Sequence, residues 1–131
     1  MKEQDALGLI VMVSPVLWTS DHAGRIEFTD LTKDDIWIRF EDEEVDVFSS
    51  KTVFVLKNAD ELNELAENKQ AYLWPPLPDN LKILAALQAS GSDKQMVAAF
   101  KMLHNDPELH RLATIRLNET LDLAPQRKIG R

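Results

Sequence analysis

The chain contains no cysteine and no long hydrophobic run. Without cysteine it can form no disulfide bond, zinc–thiolate site or cysteine nucleophile, and this composition fits a reducing compartment. The longest apolar run near the N-terminus, residues 6–13, is too short to span a bilayer. A signal peptide begins with a net positive charge, whereas here the charges of Glu3 and Asp5 outweigh that of Lys2. We therefore expect a cytoplasmic protein that does not bind membranes.

Positive charge is also scarce, above all in the first part of the chain. The 131 residues carry a net charge of −7. Residues 1–57 hold six lysines or arginines and twelve acids, a net charge of −6, whereas residues 58–131 hold nine and ten, a net charge of −1. Such a field repels phosphate backbones and anionic lipids and favours basic partners. We expect another protein as the partner, and the charge favours a basic one.

The first part of the chain contains short stretches with the pattern of strands, some with alternating apolar and polar residues and others, such as 9–13, apolar on both faces. These stretches are separated by turn residues and cover residues 9–13, 26–29, 36–40, 45–47 and 53–56. In this pattern Phe28 shares a strand face with Ile26, and we place Phe40 and Val45 toward the core. Five short strands of this kind predict a small antiparallel barrel or meander.

From residue 58 the apolar residues follow the period of helices. Asn58 and Glu61 form a capping-box pattern that predicts a first helix. The segment 72–78, YLWPPLP, cannot be helical, because its prolines remove backbone donors and restrict the residues before them. Three further helices are predicted over about 79–89, 93–104 and 107–121.

The ends of these helices carry their own signals. Gly91 ends the first of the three, Ser92 caps the second, and Asp106 with Pro107 caps the third. The predicted fold is therefore α+β. It comprises a five-stranded antiparallel barrel over residues 1–57, about four helices in a subdomain over residues 58–124, and a flexible tail over residues 125–131.

Four segments of the first part share the pattern of a known kind of barrel. They are VMVSP (11–15), HAGRI (22–26), IWIRFEDEEVDVF (36–48) and TVFVL (52–56). With an opening strand, a glycine before the second strand, an acidic hairpin and a closing strand, residues 7–57 resemble an SH3-like barrel of the KOW/Tudor type. The resemblance implies a fold more than a function, because such barrels serve many purposes. The chain is acidic where nucleic-acid-binding members are basic, and it supplies no clear aromatic cage for methyl-lysine.

Two groups of residues have the composition of a catalytic site. Ser20, Asp21 and His22 are the residue types of a hydrolase triad, but an extended chain does not place the histidine between the other two. A polar loop, in which Ser and Asp bond to the local backbone, explains them better. Asp34 and Asp35 form a carboxylate pair, with no cleft indicated near them. We therefore predict that the protein is not an enzyme.

Two further groups contain potential metal ligands. His104 and His110 flank Asp106 and Glu108, but their spacing does not place two imidazoles on one helix face. The acids of residues 41–46 lack the D-x-D-x-D-G pattern of a calcium loop. We interpret them as the solvated tip of a hairpin, where charge prevents the sheet edge from pairing with other chains. We predict no metal and no cofactor.

Trp37 and Arg39 lie on the strand face opposite to the inward residues of the same strand. An exposed aromatic patch there, with Phe54 nearby, indicates a binding surface. The competing interpretation is that the C-terminal helices cover this face. We favour that interpretation, because the apolar stripes of those helices also need to be covered.

The remaining large aromatic residues lie in two separate regions. Trp18 borders the polar loop that contains Asp21 and His22, and Tyr72 and Trp74 lie in the proline-rich segment. If these regions meet, they form a groove for an extended or proline-rich peptide. A core seam between barrel and helices is the alternative that we prefer. The candidate binding surface comprises Trp18, Asp21, His22, Trp37, Arg39, Tyr72 and Trp74.

These patterns favour a non-catalytic protein-interaction module. The acidic first part also suits an inhibitor or immunity-type protein that neutralises a basic enzyme. Nucleic-acid or ribosome binding of the KOW kind is the third alternative, and the charge argues against it. Its basic cluster is limited to Arg127, Lys128 and Arg131, and three charges give little affinity for phosphate. No pattern indicates an oligomeric state.

Overall fold

A computed structural model of the protein describes residues 3–13, 23–68 and 77–121. The described residues form one largely antiparallel sheet and six helices, so the protein is α+β as predicted. The strands are β1 (Ile10–Val13), β2 (Ala23–Asp30), β3 (Asp35–Phe40), β4 (Val45–Phe48), β5 (Val53–Leu56) and β6 (Thr114–Arg116). The helices are α1 (Glu3–Ala6), α2 (Ala59–Glu67), α3 (Leu77–Ser90), α4 (Asp93–His104), α5 (Pro107–Ala113) and α6 (Leu117–Thr120).

The strands form one open sheet in the order β4-β3-β2-β1-β5-β6. The pairings β1–β2, β2–β3, β3–β4 and β1–β5 are all antiparallel. After β4 a 3-10 turn, Ser50–Thr52, leads into β5, which pairs with β1. The predicted strands are all present, whereas β6 was not predicted.

The chain divides into two compact units. The first, which we call the sheet unit, combines Met1–Val55 with Ile115–Arg131. The second, the helical unit, comprises Leu56–Thr114. The sheet unit is therefore discontinuous in sequence, because the chain re-enters it after the helical unit.

The core of the sheet unit follows from strand alternation. Ile36, Ile38 and Phe40 are buried on β3, as predicted. They pack in a cluster with apolar residues of α1, β1, β2, β5 and α6 and with the residue that follows α6: Ala6, Val11, Val13, Ile26, Val53, Leu117 and Leu121. Gly24 permits the close approach of β2 and β3, since a Cβ there would lie 2.6 Å from the Ile38 Cγ2 and 2.7 Å from the Arg39 carbonyl oxygen.

Local capping signals define the helical unit. Asn58 and Glu61 form the predicted capping box of α2, with the Asn58 side chain accepting from the Glu61 N–H at 2.9 Å. Ser92 caps α4, and Asp106 caps α5 with Pro107 in its first turn. Gly91 follows α3 with a φ of +70°. The buried faces of these helices then form the core of the unit, with residues such as Leu62, Leu81, Leu84, Phe100, Leu103 and Leu109.

Two predicted helix boundaries are wrong. Helix α5 ends at Ala113 instead of continuing to about residue 121, and β6 and α6 follow. Thr114 is extended, with φ −119° and ψ 162°, and its hydroxyl donates to the His110 carbonyl at 2.7 Å. The β-branched pair of Thr114 and Ile115 favours the extended form. Helix α3 also begins at Leu77 and includes Pro78, because proline is tolerated in a first helical turn. Among the helices described, none has the length and hydropathy needed to cross a membrane.

Candidate functional site

Three large apolar side chains lie opposite one another on the outer face of the sheet unit. Phe28 of β2 pairs with Trp37 of β3, and Trp37 pairs with Val47 of β4. Their exposed fractions are 57%, 38% and 38%. Val45, two residues before Val47, lies opposite Arg39 and is 39% exposed. We call these four residues, Phe28, Trp37, Val45 and Val47, the outer apolar patch.

A β-bulge in β2 places Phe28 in this patch. Ile26 pairs with Ile38 and Phe28 pairs with Trp37, so Glu27 is an extra residue on β2. A bulge of this kind reverses the phase of side chains along a strand. Glu27 and Phe28 are consequently both exposed, although Ile26 is buried. The prediction that Phe28 shares a face with Ile26 is therefore wrong.

Val45 and Val47 lie on the outer face of β4, which is an edge strand. It stands at the end of the strand order, with β3 as its neighbour. Val45, Asp46 and Val47 are all exposed, and Phe48 is half-buried, with its ring 5.9 Å from that of Phe40. The prediction that Val45 points to the core is wrong, because its register opposite Arg39 places it on the outer face.

The acidic run forms the tip of the hairpin between β3 and β4, as predicted. The Phe40 N–H donates to the Glu44 carbonyl at 2.9 Å, and the Glu43 N–H donates to the Phe40 carbonyl at 3.0 Å. Glu43 has a φ of 72°, the left-handed conformation of the last residue in a three-residue hairpin loop. The side chains of residues 41–44 are exposed. These acids therefore border the patch without forming a closed binding site.

Arg39 lies on the patch and is held by two acids. Its Nε donates to Glu27 at 2.7 Å, and its Nη1 lies 3.4 Å from the Glu43 carboxylate and 3.1 Å from the Glu43 carbonyl oxygen. The hydrogen bond to Glu27 raises the pKa of Arg39 and lowers that of the Glu27 carboxyl. The bulge that exposes Phe28 thus also supplies the main partner of Arg39.

The surroundings of the patch are strongly acidic. Residues 23–48 contain three lysines or arginines and nine acids, a net charge of −6. The charge of Arg39 is included in this value, and its guanidinium is paired with Glu27 and Glu43. An apolar surface bordered by acids favours a ligand that combines apolar and basic groups.

Of the residues predicted to form a binding surface, the structure places Trp37 and Arg39 on the same strand face. Trp37 is exposed rather than buried, which is the opposite of the covered position that we favoured. Phe54 is half-buried and is not part of the patch. The aromatic groove and the Ser20-Asp21-His22 loop lie outside the described residues, and so do Trp18, Asp21, His22, Tyr72 and Trp74.

Asp34 has a structural role between two loops. Its carboxylate accepts from the Ser49 hydroxyl at 2.5 Å and from the Ser50 N–H at 3.0 Å. Partial burial raises the pKa of Asp34, but the hydrogen bonds from Ser49 and Ser50, aided by the charge of Lys51, hold it below its usual range. These bonds join the β2–β3 turn to the 3-10 turn before β5, so the Asp34 carboxylate is engaged in holding the two turns together.

His110 of the helical unit lies beside a residue of its own helix end. Burial lowers the pKa of His110, whose Nδ1 lies 3.5 Å from the Thr114 hydroxyl. Within residues 3–13, 23–68 and 77–121, no group of three histidines or acids is arranged to hold a metal ion.

Three members of the outer apolar patch were not identified from the sequence. Phe28 depends on a bulge, and bulges carry no fixed sequence signal in a two-residue alternation. The positions of Val45 and Val47 depend on the register of β4 opposite Arg39 and Trp37, which is decided by the pairing of the two strands. Comparison with protein-family models, with curated proteins and with solved structures finds no match to this chain.

Proposed function

We propose that this protein is a non-catalytic interaction module that binds a basic protein through the outer apolar patch. The observation that carries the proposal is the set of four apolar side chains, each more than a third exposed, on one face of three adjacent strands. Contiguous exposed apolar surface of this kind marks interaction sites in soluble proteins. Aromatic residues such as Trp37 and Phe28 supply much of the binding energy at such sites.

Charge determines which kind of partner fits. The net charge of −6 over residues 23–48 would attract a basic surface and would repel a second copy of the same acidic surface. The same field opposes nucleic-acid binding. Within this class, an inhibitor of a basic enzyme is the narrower alternative, and a neighbouring gene for a basic enzyme would favour it.

An SH3-like barrel remains our proposal for the detailed fold of the sheet unit. The sheet is open, but five antiparallel strands follow one another in sequence and β5 returns to pair with β1, a pairing of first and last strand that a five-stranded barrel would also contain. Gly24 at the close approach of β2 and β3 is the glycine on which the resemblance partly rests. The barrel supports the proposed function only as a scaffold that presents the patch.

The test begins with the natural partner, identified by co-purification from the native cell and then purified. Its affinity is measured by calorimetry for the wild-type protein and for Trp37→Ala and Phe28→Ser. We expect Trp37→Ala to weaken binding by about 2 kcal/mol, roughly 30-fold, as is typical of a central aromatic residue. Binding should also weaken as salt rises.

The matched control is Ile83→Ser, which removes a 48% exposed apolar side chain from the helical unit. This variant should bind the partner as tightly as the wild-type protein. Thermal unfolding of all three variants checks that the fold is retained, since each residue is exposed. Binding that is insensitive to both Trp37→Ala and Phe28→Ser would contradict the proposal.

A further inference from the structure

Within the part of the chain that the structure describes, no strand pairs with the outer edge of β4, which offers backbone hydrogen-bonding groups beside the outer apolar patch. Hydrogen-bonded and non-hydrogen-bonded pairs alternate along an antiparallel hairpin. The Phe40 N–H donates to the Glu44 carbonyl, so the next pair, Arg39 with Val45, is not hydrogen-bonded, and neither is Trp37 with Val47. The N–H and C=O groups of Val45 and Val47 therefore point away from β3, toward the open side of β4.

The side chain of Asp46 is hydrogen-bonded to one of these backbone groups. Its Oδ1 accepts a hydrogen bond from the Val47 N–H at 2.8 Å. Asp46 lies opposite Ile38 and so belongs to the other face of the strand from Val45 and Val47, although its position at the edge leaves it exposed. A charged residue placed in this way hinders the pairing of an edge strand with other chains.

We propose that the basic partner supplies an extended segment that adds antiparallel to β4, and that Asp46 selects this segment. When the edge is free, the Asp46 carboxylate bonds to the Val47 N–H. When the segment adds, the carboxylate releases that N–H to the new strand and pairs with a lysine or arginine of the segment. The inference rests on the proposed function, because it specifies how the partner meets the same acidic sheet.

Strand geometry defines the sequence pattern of the segment. Successive side chains of an added strand point to opposite faces. Those beside Val45 and Val47 extend the outer apolar patch and should be apolar, and the one between them lies beside Asp46 and should be basic. A second copy of β4 would instead place Asp46 beside Asp46, which like-charge repulsion disfavours. We expect an antiparallel direction because the observed pairings among strands β1, β2, β3, β4 and β5 are all antiparallel.

The first test uses the peptide acetyl-Lys-Val-Lys-Val-Lys-Val-amide and two N-methylated forms of it, titrated into the full-length protein by NMR. In the proposed geometry the valine N–H groups face β4 and the lysine N–H groups face solvent. We expect methylation of the valine backbone nitrogens to weaken binding by about tenfold or more, since it removes the hydrogen bonds from the peptide to β4. Methylation of the lysine backbone nitrogens should leave binding unchanged.

These peptides have the same charge and the same apolar side chains, so they separate edge addition from docking on the sheet face. Equal binding of the three peptides, or no binding of any at millimolar concentration, would overturn edge addition. The proposed function would still stand if Trp37→Ala weakened binding of the natural partner. A concentration-dependent dimer of the wild-type protein in sedimentation experiments would show that a second copy occupies the edge, and would also overturn the proposal.

The second test separates the two roles of Asp46. Asp46→Asn removes the charge but retains an oxygen that can accept from the Val47 N–H, whereas Asp46→Ala removes both. We expect both variants to lose the salt dependence that Asp46 contributes, and Asp46→Ala to bind the peptide about two- to tenfold more tightly than Asp46→Asn. Equal affinities of the two variants would show that the hydrogen bond from the Val47 N–H to Asp46 does not compete with binding of the peptide.

Discussion

The sheet unit and the helical unit differ in where they leave large apolar side chains. In the described residues, five of the exposed ones lie in the sheet unit, and Ile83 is the sixth, in the helical unit. An amphipathic helix buries its apolar stripe and exposes mostly polar residues. The strands β2, β3 and β4 instead have two faces, of which one alone forms the core, and β4 stands at the end of the strand order. The exposed apolar surface of this protein is therefore a consequence of its strand geometry.

The two units also differ in the range of the contacts that define them. The capping bonds of α2 and α5 join residues three apart in sequence. In the sheet unit, Gly24 approaches β3 at Ile38 and Arg39, and Asp34 holds Ser50 across 16 residues. Substitutions at these positions test whether long-range contacts matter more to the sheet unit than local contacts matter to the helical unit.

The largest effect on stability is expected at Gly24. Gly24→Ala should lower the free energy of unfolding by about 1–3 kcal/mol, because the new Cβ would overlap Ile38 and the backbone of Arg39. Gly91→Ala is the matched change in the helical unit, where a Cβ meets no atom within 4 Å and only the φ of +70° disfavours alanine. That variant should lose about 1 kcal/mol. Urea unfolding compares the two, and a smaller loss at Gly24 would contradict the assignment.

The next effect concerns Asp34 and depends on pH. Asp34→Ala should lower the free energy of unfolding by about 1–2 kcal/mol near neutral pH, since it leaves the buried Ser50 N–H without its acceptor. Because the pKa of Asp34 is lower in the folded protein, its stabilisation is present above the unfolded pKa. It is lost as pH falls through the folded pKa. The difference between wild type and variant should therefore shrink at acidic pH.

Asp35→Asn is the control for this prediction. It removes the same charge from the neighbouring position without removing the bonds to Ser49 and Ser50. Urea unfolding from neutral to strongly acidic pH should show little difference between this variant and the wild-type protein. An equal, pH-dependent loss in both variants would show that the charge, and not the bonds to the two serines, is responsible.

The smallest effect is expected at the cap of α5. Asp106→Ala removes the side chain that accepts from the Leu109 N–H at 3.2 Å, and should lower the free energy of unfolding by about 1 kcal/mol. Asp106→Asn keeps an accepting oxygen and should lose little. Circular dichroism during urea unfolding measures both variants, and an equal loss in the two would point to charge instead of capping.

Local signals in the sequence predicted much of the helical unit and the five strands before it, but not the face of every strand residue. The caps at Asn58, Ser92 and Asp106 are correct because each depends on residues within one helical turn. The inward set of β3 is correct because alternation is a local property. The end of α5 at Ala113 was missed, because an apolar stripe continues past it and only Thr114 and Ile115 indicate an extended chain.

The candidate site was predicted only in part for the same reason. Trp37 and Arg39 were found from alternation within one strand. Phe28 was assigned to the wrong face, because the bulge at Glu27 arises from the pairing of β2 with β3. Val45 was assigned to the core, because its exposure depends on its register opposite Arg39 and on β4 having no strand beyond it in the sheet order.

The sequence by itself determined the acidity of the first part, the number of strands within it, the capped helices after it and the absence of cysteine chemistry. These properties depend on composition or on residues that are close along the chain. The tertiary structure alone decided which strand became an edge, which face of β2 carries Phe28, and that residues after 114 return to the sheet unit. Each of these depends on hydrogen bonds and packing between distant residues, and no local pattern specifies such contacts.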